Sequence, residues 1–318
     1  MTHLIAGAYA AAPPQLASDA AAEARWYELL RSEPLIDGLE LPWTGTLHPS
    51  GLDHLLSLLE PSWRSVVTAI PGTAQRVATN PLYGLASDDQ HSRAQAVRDI
   101  EGLFGDVQRI RSAIGPDAVT AVELHSAPNR HGASSSAESF ASSLAEIASW
   151  NWNGVALAIE HCDAGLPAGQ SQKGFLSLQE EIAAVQQVNA GTRTRLGLTV
   201  NWGRSAIEAR GPEGPVQHVS EIAEASDLLG VMFSGASGVS TVYGGAFADV
   251  HVPVHGTEAG TASDSLMTLE SISRTLDAAG PKLLYSGVKV AAVPGEVDLE
   301  ARLLPLRRSL EAVQDLTL

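Results

Sequence analysis

Eight short apolar runs recur along the chain, and a longer stretch with apolar residues at three-to-four spacing follows most of them. The short runs are Leu4–Tyr9, Gly38–Leu41, Ser65–Ile70, Ala118–His125, Gly154–His161, Arg195–Asn201, Leu228–Phe233 and Lys282–Val290. Each is rich in Val, Ile, Leu or Thr and bounded by Gly, Pro, Ser or Asn, as strands buried on both faces are. The intervening stretches read as helices: Ala20–Arg31, Leu52–Leu59, Arg93–Ile114, Phe140–Trp150, Leu178–Asn189, Ser220–Ala225 and Ser265–Ala279. Asp88-Asp89 and Ser177 supply N-terminal caps, and Gly280-Pro281 supplies a stop. Strict alternation predicts an α/β fold of the (β/α)8 TIM barrel type, which takes about 250 residues plus insertions. The chain's 318 residues allow this. No G-x-G-x-x-G follows the first run, which speaks against a doubly wound sheet. No linker or composition break divides the chain, so residues 1–318 are expected to form one barrel domain.

Charge and composition narrow the partners. Formal charge is −16, so nothing attracts the phosphates of nucleic acid in general. No run approaches the roughly 20 apolar residues that span a bilayer, so no membrane partner is expected. The apolar opening Met1–Pro14 lacks the preceding Lys or Arg of a signal peptide. The single cysteine, Cys162, allows no internal disulfide. Together these lead to the expectation of a cytoplasmic protein; a homo-oligomer is compatible with them.

In a barrel, chemistry gathers at the C-terminal ends of the strands. Those ends hold Tyr9, Glu40, Glu123 and His125, Glu160-His161-Cys162-Asp163, Asn201-Trp202-Gly203-Arg204, Ser234, and Ser286 with Lys289. Asp249, His251, His255 and Glu258 cluster between the last two strands. Several segments resemble the xylose isomerase-like barrel superfamily, which includes sugar isomerases and epimerases and the family 2 apurinic endonucleases. Asn80-Pro81-Leu82-Tyr83-Gly84-Leu85-Ala86-Ser87-Asp88-Asp89 with Arg93 resembles its N-L-A-S-P-D…R entry to a helix. Leu124-His125-Ser126 and Ala156–His161 resemble the ends of its fourth and fifth strands, and Asp249-Val250-His251 its D-x-H. The resemblance implies that Glu160 serves as a metal ligand or catalytic base. It also implies Asp and His at the sixth strand, His at the seventh and Glu at the eighth. Here those places hold Asn201, Arg204, Ser234 and Ser286. An amide is a poor substitute for an anionic ligand, and a guanidinium cannot bind a metal. The divalent ligand set is therefore incomplete, although Glu160, His251 and His255 would suit Mn2+, Mg2+ or Zn2+.

These residues carry the functional expectation. Glu160, at the end of an apolar strand, is expected as the general base, with His125 and Lys289 as acid or electrostatic partners. Arg204 would grip an anionic group. Asn201, Trp202, Glu40, Tyr9 and His161 would complete the substrate site, with His161 alternatively orienting a carboxylate. The partner is then a small carbohydrate, anionic if the two cations bind it. The reaction would be isomerisation or epimerisation by proton abstraction beside a carbonyl. Two other readings stay open: a keto-sugar lyase with Lys289 as nucleophile, and a non-catalytic sugar-binding barrel without its metal.

Overall fold

Eight parallel strands close on themselves in chain order: β1 (His3–Ala6), β2 (Gly38–Pro42), β3 (Ser65–Thr68), β4 (Val119–Leu124), β5 (Ala156–His161), β6 (Leu196–Asn201), β7 (Leu228–Phe233) and β8 (Tyr285–Val288). β1 pairs with β8 in the register His3↔Tyr285 through Ala6↔Val288, and no sheet edge remains. The molecule is a TIM barrel, seen here as a computed structural model that describes residues 2–316. Met1, Thr317 and Leu318, at the ends of the span expected to form one domain, lie outside the described residues.

Each expected strand is present, most of them shorter than expected. The helices are α1 (Ala20–Arg31), α2 (Leu52–Leu58), α3 (Ile70–Thr79), α4 (Gln90–Ala113), α5 (Ala137–Ser149), α6 (Leu178–Asn189), α7 (Trp202–Ala209), α8 (Glu213–Ala225), α9 (Leu269–Ala279) and α10 (Leu299–Gln314). Three of these, α3, α7 and α10, were not expected. Pro71-Gly72 reads as a loop, yet proline is tolerated in a first helical turn, where its missing N–H has no intrahelical partner. Gly214-Pro215 hides the start of α8 in the same way. Asp89 caps α4, and Ser177 with Glu180 forms a capping box on α6.

Ile5, Val66, Ala121, Ala156, Ala158, Leu229, Met232 and Tyr285 fill the barrel interior, while a larger apolar shell lies between barrel and helices. Above that plug the interior turns polar. Residues 234–268, between β7 and α9, form no helix and carry only isolated bridges. This segment lies across the C-terminal mouth.

Candidate active site

Strand alternation decides which side chains enter the barrel. Glu123 and His125 sit two residues apart on β4 and just beyond it, so they share the inward face, whereas neighbours Glu160 and His161 on β5 face opposite ways. Glu160 turns inward and is wholly buried. His125 Nε2 donates to its Oε2 at 2.6 Å and Arg204 NH1 at 2.7 Å; Asn201 Nδ2 donates to Oε1 at 2.8 Å. Lys289 Nζ lies 3.6 Å from Oε1 and donates to Glu40 Oε1 at 2.7 Å. Asn201 also caps α7, which brings Arg204 over the barrel axis. Two glycines admit these groups: a Cβ on Gly7 would stand 2.7 Å from Lys289 Cβ, and one on Gly203 would stand 2.2 Å from the Ser234 carbonyl oxygen.

The charges follow from these contacts. Burial opposes ionisation of Glu160, but Arg204 and Lys289 outweigh it and hold its pKa well below the usual carboxylate range. Burial likewise opposes the Lys289 ammonium, yet Glu160 and Glu40 push its pKa well up. His125 is lowered by burial and stays neutral. A carboxylate can only accept, so the His125 proton sits on Nε2. Its Nδ1 is buried and finds no hydrogen-bond partner among the described residues. Beneath them Glu123 is raised well up by burial and by the Glu160 and Glu40 charges and remains protonated; burial raises Glu40 as well, and Oε2 of each finds no hydrogen-bond partner among the described residues. Tyr285 donates to Glu123 Oε1 at 2.8 Å.

Glu40, Glu123 and Glu160 have oxygens close enough to share a metal ion, as do the ligand atoms of His125, Glu160 and Cys162. Neither set suits a divalent ion. Lys289 already stands against the carboxylates of Glu40 and Glu160, and both Glu160 oxygens are occupied by donors. Burial pushes the Cys162 thiol up and away from the thiolate that metals need. Two side-chain cations take the place of an ion.

A second layer closes the mouth. Asp249, on the long segment, accepts from Arg204 Nε at 3.1 Å and from Lys173 Nζ at 2.9 Å. Burial opposes its charge, but Arg204 and Lys173 hold its pKa well below the usual range. Asp163 positions Lys173 by accepting the backbone N–H groups of residues 172–174. Phe247 and His251, on either side of Asp249, have φ of 54° and 57°, in the left-handed region. A 320 Å3 cavity lies beside the mouth, lined by Tyr9, Glu40, Pro42, Leu47 and His48. A larger one, 690 Å3, opens at the opposite end of the barrel and takes in Ser286. Ser286 therefore does not belong to the mouth.

Behind β5 lies a separate polar cluster. His161 Nδ1 donates to Glu181 Oε2 at 2.6 Å, and Nε2 to Glu208 Oε2 at 3.1 Å. Burial alone would lower His161; Glu181 and Glu208 reverse this and raise it to about 10. Ser126 Oγ donates to the other Glu181 oxygen at 2.5 Å.

The structure thus brings together Glu160, His125, Lys289, Arg204, Asn201 and Glu40, with half-buried Tyr9 under the Lys289 ammonium at 5.8 Å. Three expected site residues lie elsewhere. Trp202 is fully buried and donates to Thr275 on α9, because α7 begins there and turns the indole outward from the barrel. His161 faces the helices. His255 is exposed, with Nδ1 3.2 Å from the Ser265 carbonyl oxygen, so it does not join Glu160 and His251 in a metal site. His251 does lie over the mouth, its Nδ1 3.4 Å from Asp249. The sequence reading missed Glu181, Glu208 and His218. The four-residue spacing from Arg204 to Glu208 was the available signal, but it appears only once α7 is known to be a helix.

A family described as Domain of unknown function (DUF4862) matches residues 5–304. The chain belongs to this family. It is 33% identical to a Salmonella typhimurium protein named "Uncharacterized protein STM3670", over 99% of this chain and 98% of that one. Its fold matches that of the xylose isomerase-like TIM barrels. A D-psicose 3-epimerase superposes with a TM-score of 0.61 at 12% identity, covering 100% of this chain and 99% of that one. A xylose isomerase domain protein from Alicyclobacillus acidocaldarius gives 0.55 at 14% identity, covering 100% and 99%. A sugar phosphate isomerase/epimerase from Parabacteroides distasonis gives 0.53 at 10% identity, covering 100% and 96%. Identities this low establish the shared fold, and no helix among the described residues is long and apolar enough to cross a membrane.

Proposed function

We propose that this protein is an isomerase or epimerase of a sugar bearing an acidic group, working by proton abstraction next to a carbonyl. The observation that carries the reading is the buried His125–Glu160 pair, in which a neutral imidazole holds its Nε2 proton against a carboxylate and keeps the Nδ1 lone pair free. Glu160 itself, surrounded by Arg204 and Lys289, is too weak a base to draw a proton from carbon. The base is His125, and Glu160 fixes its tautomer and stabilises the imidazolium that forms. The proton leaves the carbon beside the carbonyl for Nδ1, and the electron pair of the broken C–H bond moves onto the carbonyl oxygen. Lys289 supplies the charge that stabilises the resulting enediolate. Return of the proton to the former carbonyl carbon, with the adjacent hydroxyl proton passing to the enediolate oxygen, completes an isomerisation; delivery of a proton to the original carbon from the opposite face completes an epimerisation.

The Asp249 carboxylate held by Arg204 and Lys173 supports binding of the substrate's acidic group at that position, where it would displace Asp249. A lyase with Lys289 as nucleophile has less support, because Glu40 and Glu160 keep the amine protonated. The test incubates the protein with aldonic acids, uronic acids and phosphorylated ketoses in D2O. Ligands are first selected by the rise in melting temperature, and C–H exchange is then followed by NMR. Exchange by the wild type that falls at least about 100-fold in H125Q, with the thermal shift retained, is the expected result. A ligand that binds without any exchange would leave the non-catalytic barrel as the better reading, and a borohydride-trapped adduct on Lys289 would leave the lyase.

A further inference from the structure

Among the described residues four groups of histidine, acid or cysteine side chains lie at metal-ligand spacing, and the hydrogen bonds around them separate the fit from the unfit. Lys289 and Arg204 fill the two at the mouth. In the Glu23–His48–His54 group, the Ser50 amide donates to His48 Nδ1, so the His48 proton is on Nε2, which donates to Glu23. That nitrogen has no lone pair to offer.

The group behind β5 is arranged the other way. His161 turns Nδ1–H to the Glu181 carboxylate and presents Nε2 to Glu208 at 3.1 Å. His218, on α8, has Nδ1 2.9 Å from Ser205 Oγ, which accepts its proton in the tautomer that leaves Nε2 bare. That Nε2 stands 3.8 Å from Glu208 Oε1, too far for a hydrogen bond. Two ligands at about 2.0–2.2 Å from a tetrahedral ion lie roughly 3.3–3.6 Å apart; here the Glu208 carboxylate meets His161 Nε2 through Oε2 and His218 Nε2 through Oε1 at comparable distances, and one ligand atom from each of the three residues lies within 4.8 Å of the others. Carboxylates or hydroxyls behind metal-bound imidazoles are the usual means of fixing ring orientation. Glu208 is anchored as well, with Oε2 accepting the Ala164 N–H at 2.8 Å. The Glu208 side chain is 22% exposed and that of His218 is 12%, which leaves a path for an ion and a place for a bound water.

We propose that His161 Nε2, His218 Nε2 and the Glu208 carboxylate form a zinc-type site that clips β5 to α7 and α8, apart from the barrel mouth. Binding replaces one proton: the His161 Nε2–H is released as the ion takes that lone pair, and water completes the tetrahedron. The site sits one residue beyond Glu160 on β5 and four beyond Arg204 on α7, so it stiffens the two elements that aim those side chains.

The test uses the full-length protein stripped with chelator and titrated with zinc by calorimetry in two buffers of different ionisation enthalpy. In parallel, Co2+ is added and its visible absorption read. The expected result is one equivalent of zinc, about one proton released, an intense tetrahedral Co2+ spectrum and a raised melting temperature. H218A and, as a second variant, E208Q should weaken zinc at least about 100-fold, while H125Q at the mouth leaves it unchanged. His218 sits on the outer helix α8, and the circular dichroism of H218A must match the wild type for its result to count. Absence of stoichiometric binding, binding that survives H218A and E208Q, or binding lost in H125Q would each overturn the proposal. Zinc binding without sugar exchange refutes the proposed function alone, and exchange without zinc binding refutes this site alone.

Discussion

Lys289 holds a full charge with none of its side chain exposed, which is tolerable only because Glu40 and Glu160 flank it. Removing one member of such a group leaves the others buried and uncompensated. K289M is therefore expected to cost about 3–5 kcal/mol in urea unfolding; a loss under 1 kcal/mol would mean that the two carboxylates take up protons instead. At this level the sequence was legible wherever a charge interrupted an apolar run. Glu160 and Lys289 announced themselves in that way. The roles were less legible, because a base strength depends on neighbours from other strands. Arg204 and Lys289 lie 44 and 129 positions from Glu160, and nothing local reveals that they deprive it of basicity.

Helix α7 shows why elements were read unevenly. Asn201 ends β6 and caps α7 at once, with no turn residues between, so a strand end and a helix start share one amino acid. Strands bounded by Gly or Ser and helices with an amphipathic stripe were read with near-correct limits, α1 and α6 among them. The segment 234–268 had no periodicity to read, and of the residues singled out in it, Asp249 and His251 lie at the mouth while His255 does not. Burial lowers His251 to about 4, whereas an unfolded-chain histidine titrates near 6.5. Its neutral form thus contributes stability above pH 6.5, and that contribution is lost as the pH falls toward 4. His218, also lowered to about 4 by burial, adds a loss of the same sign. Asp249 follows at lower pH, since its folded pKa lies well below that of a free carboxylate. With chelator present, the unfolding free energy should fall from pH 6.5 to 4 by on the order of 2 kcal/mol per histidine, read by calorimetry as a lower melting temperature. H251Q should flatten part of that slope; a profile parallel to wild type would count against a neutral, buried His251.

Closure of the barrel joins the two ends of the chain, and α10 secures the seam. Arg302, 7% exposed, donates to the carbonyl oxygens of Ala11, Ala12 and Glu296. R302M is expected to lose about 2–3 kcal/mol by stranding buried carbonyls, read as a lower urea midpoint with unchanged slope. The barrel itself was the most legible property of the sequence, because eight buried parallel strands leave eight apolar runs. The interior ion network was not, since a net charge of −16 is dominated by the surface.

The mouth has one further consequence. Glu160 and Lys289 are wholly buried and Arg204 is 2% exposed, with Asp249 resting on Arg204. If a ligand reaches them only when Asp249 leaves Arg204, binding is gated by that step. The measured binding rate should then rise with ligand concentration and level off at the rate of that step. If the form with Asp249 away makes up about 1% of molecules, the apparent dissociation constant is about 100 times the intrinsic one.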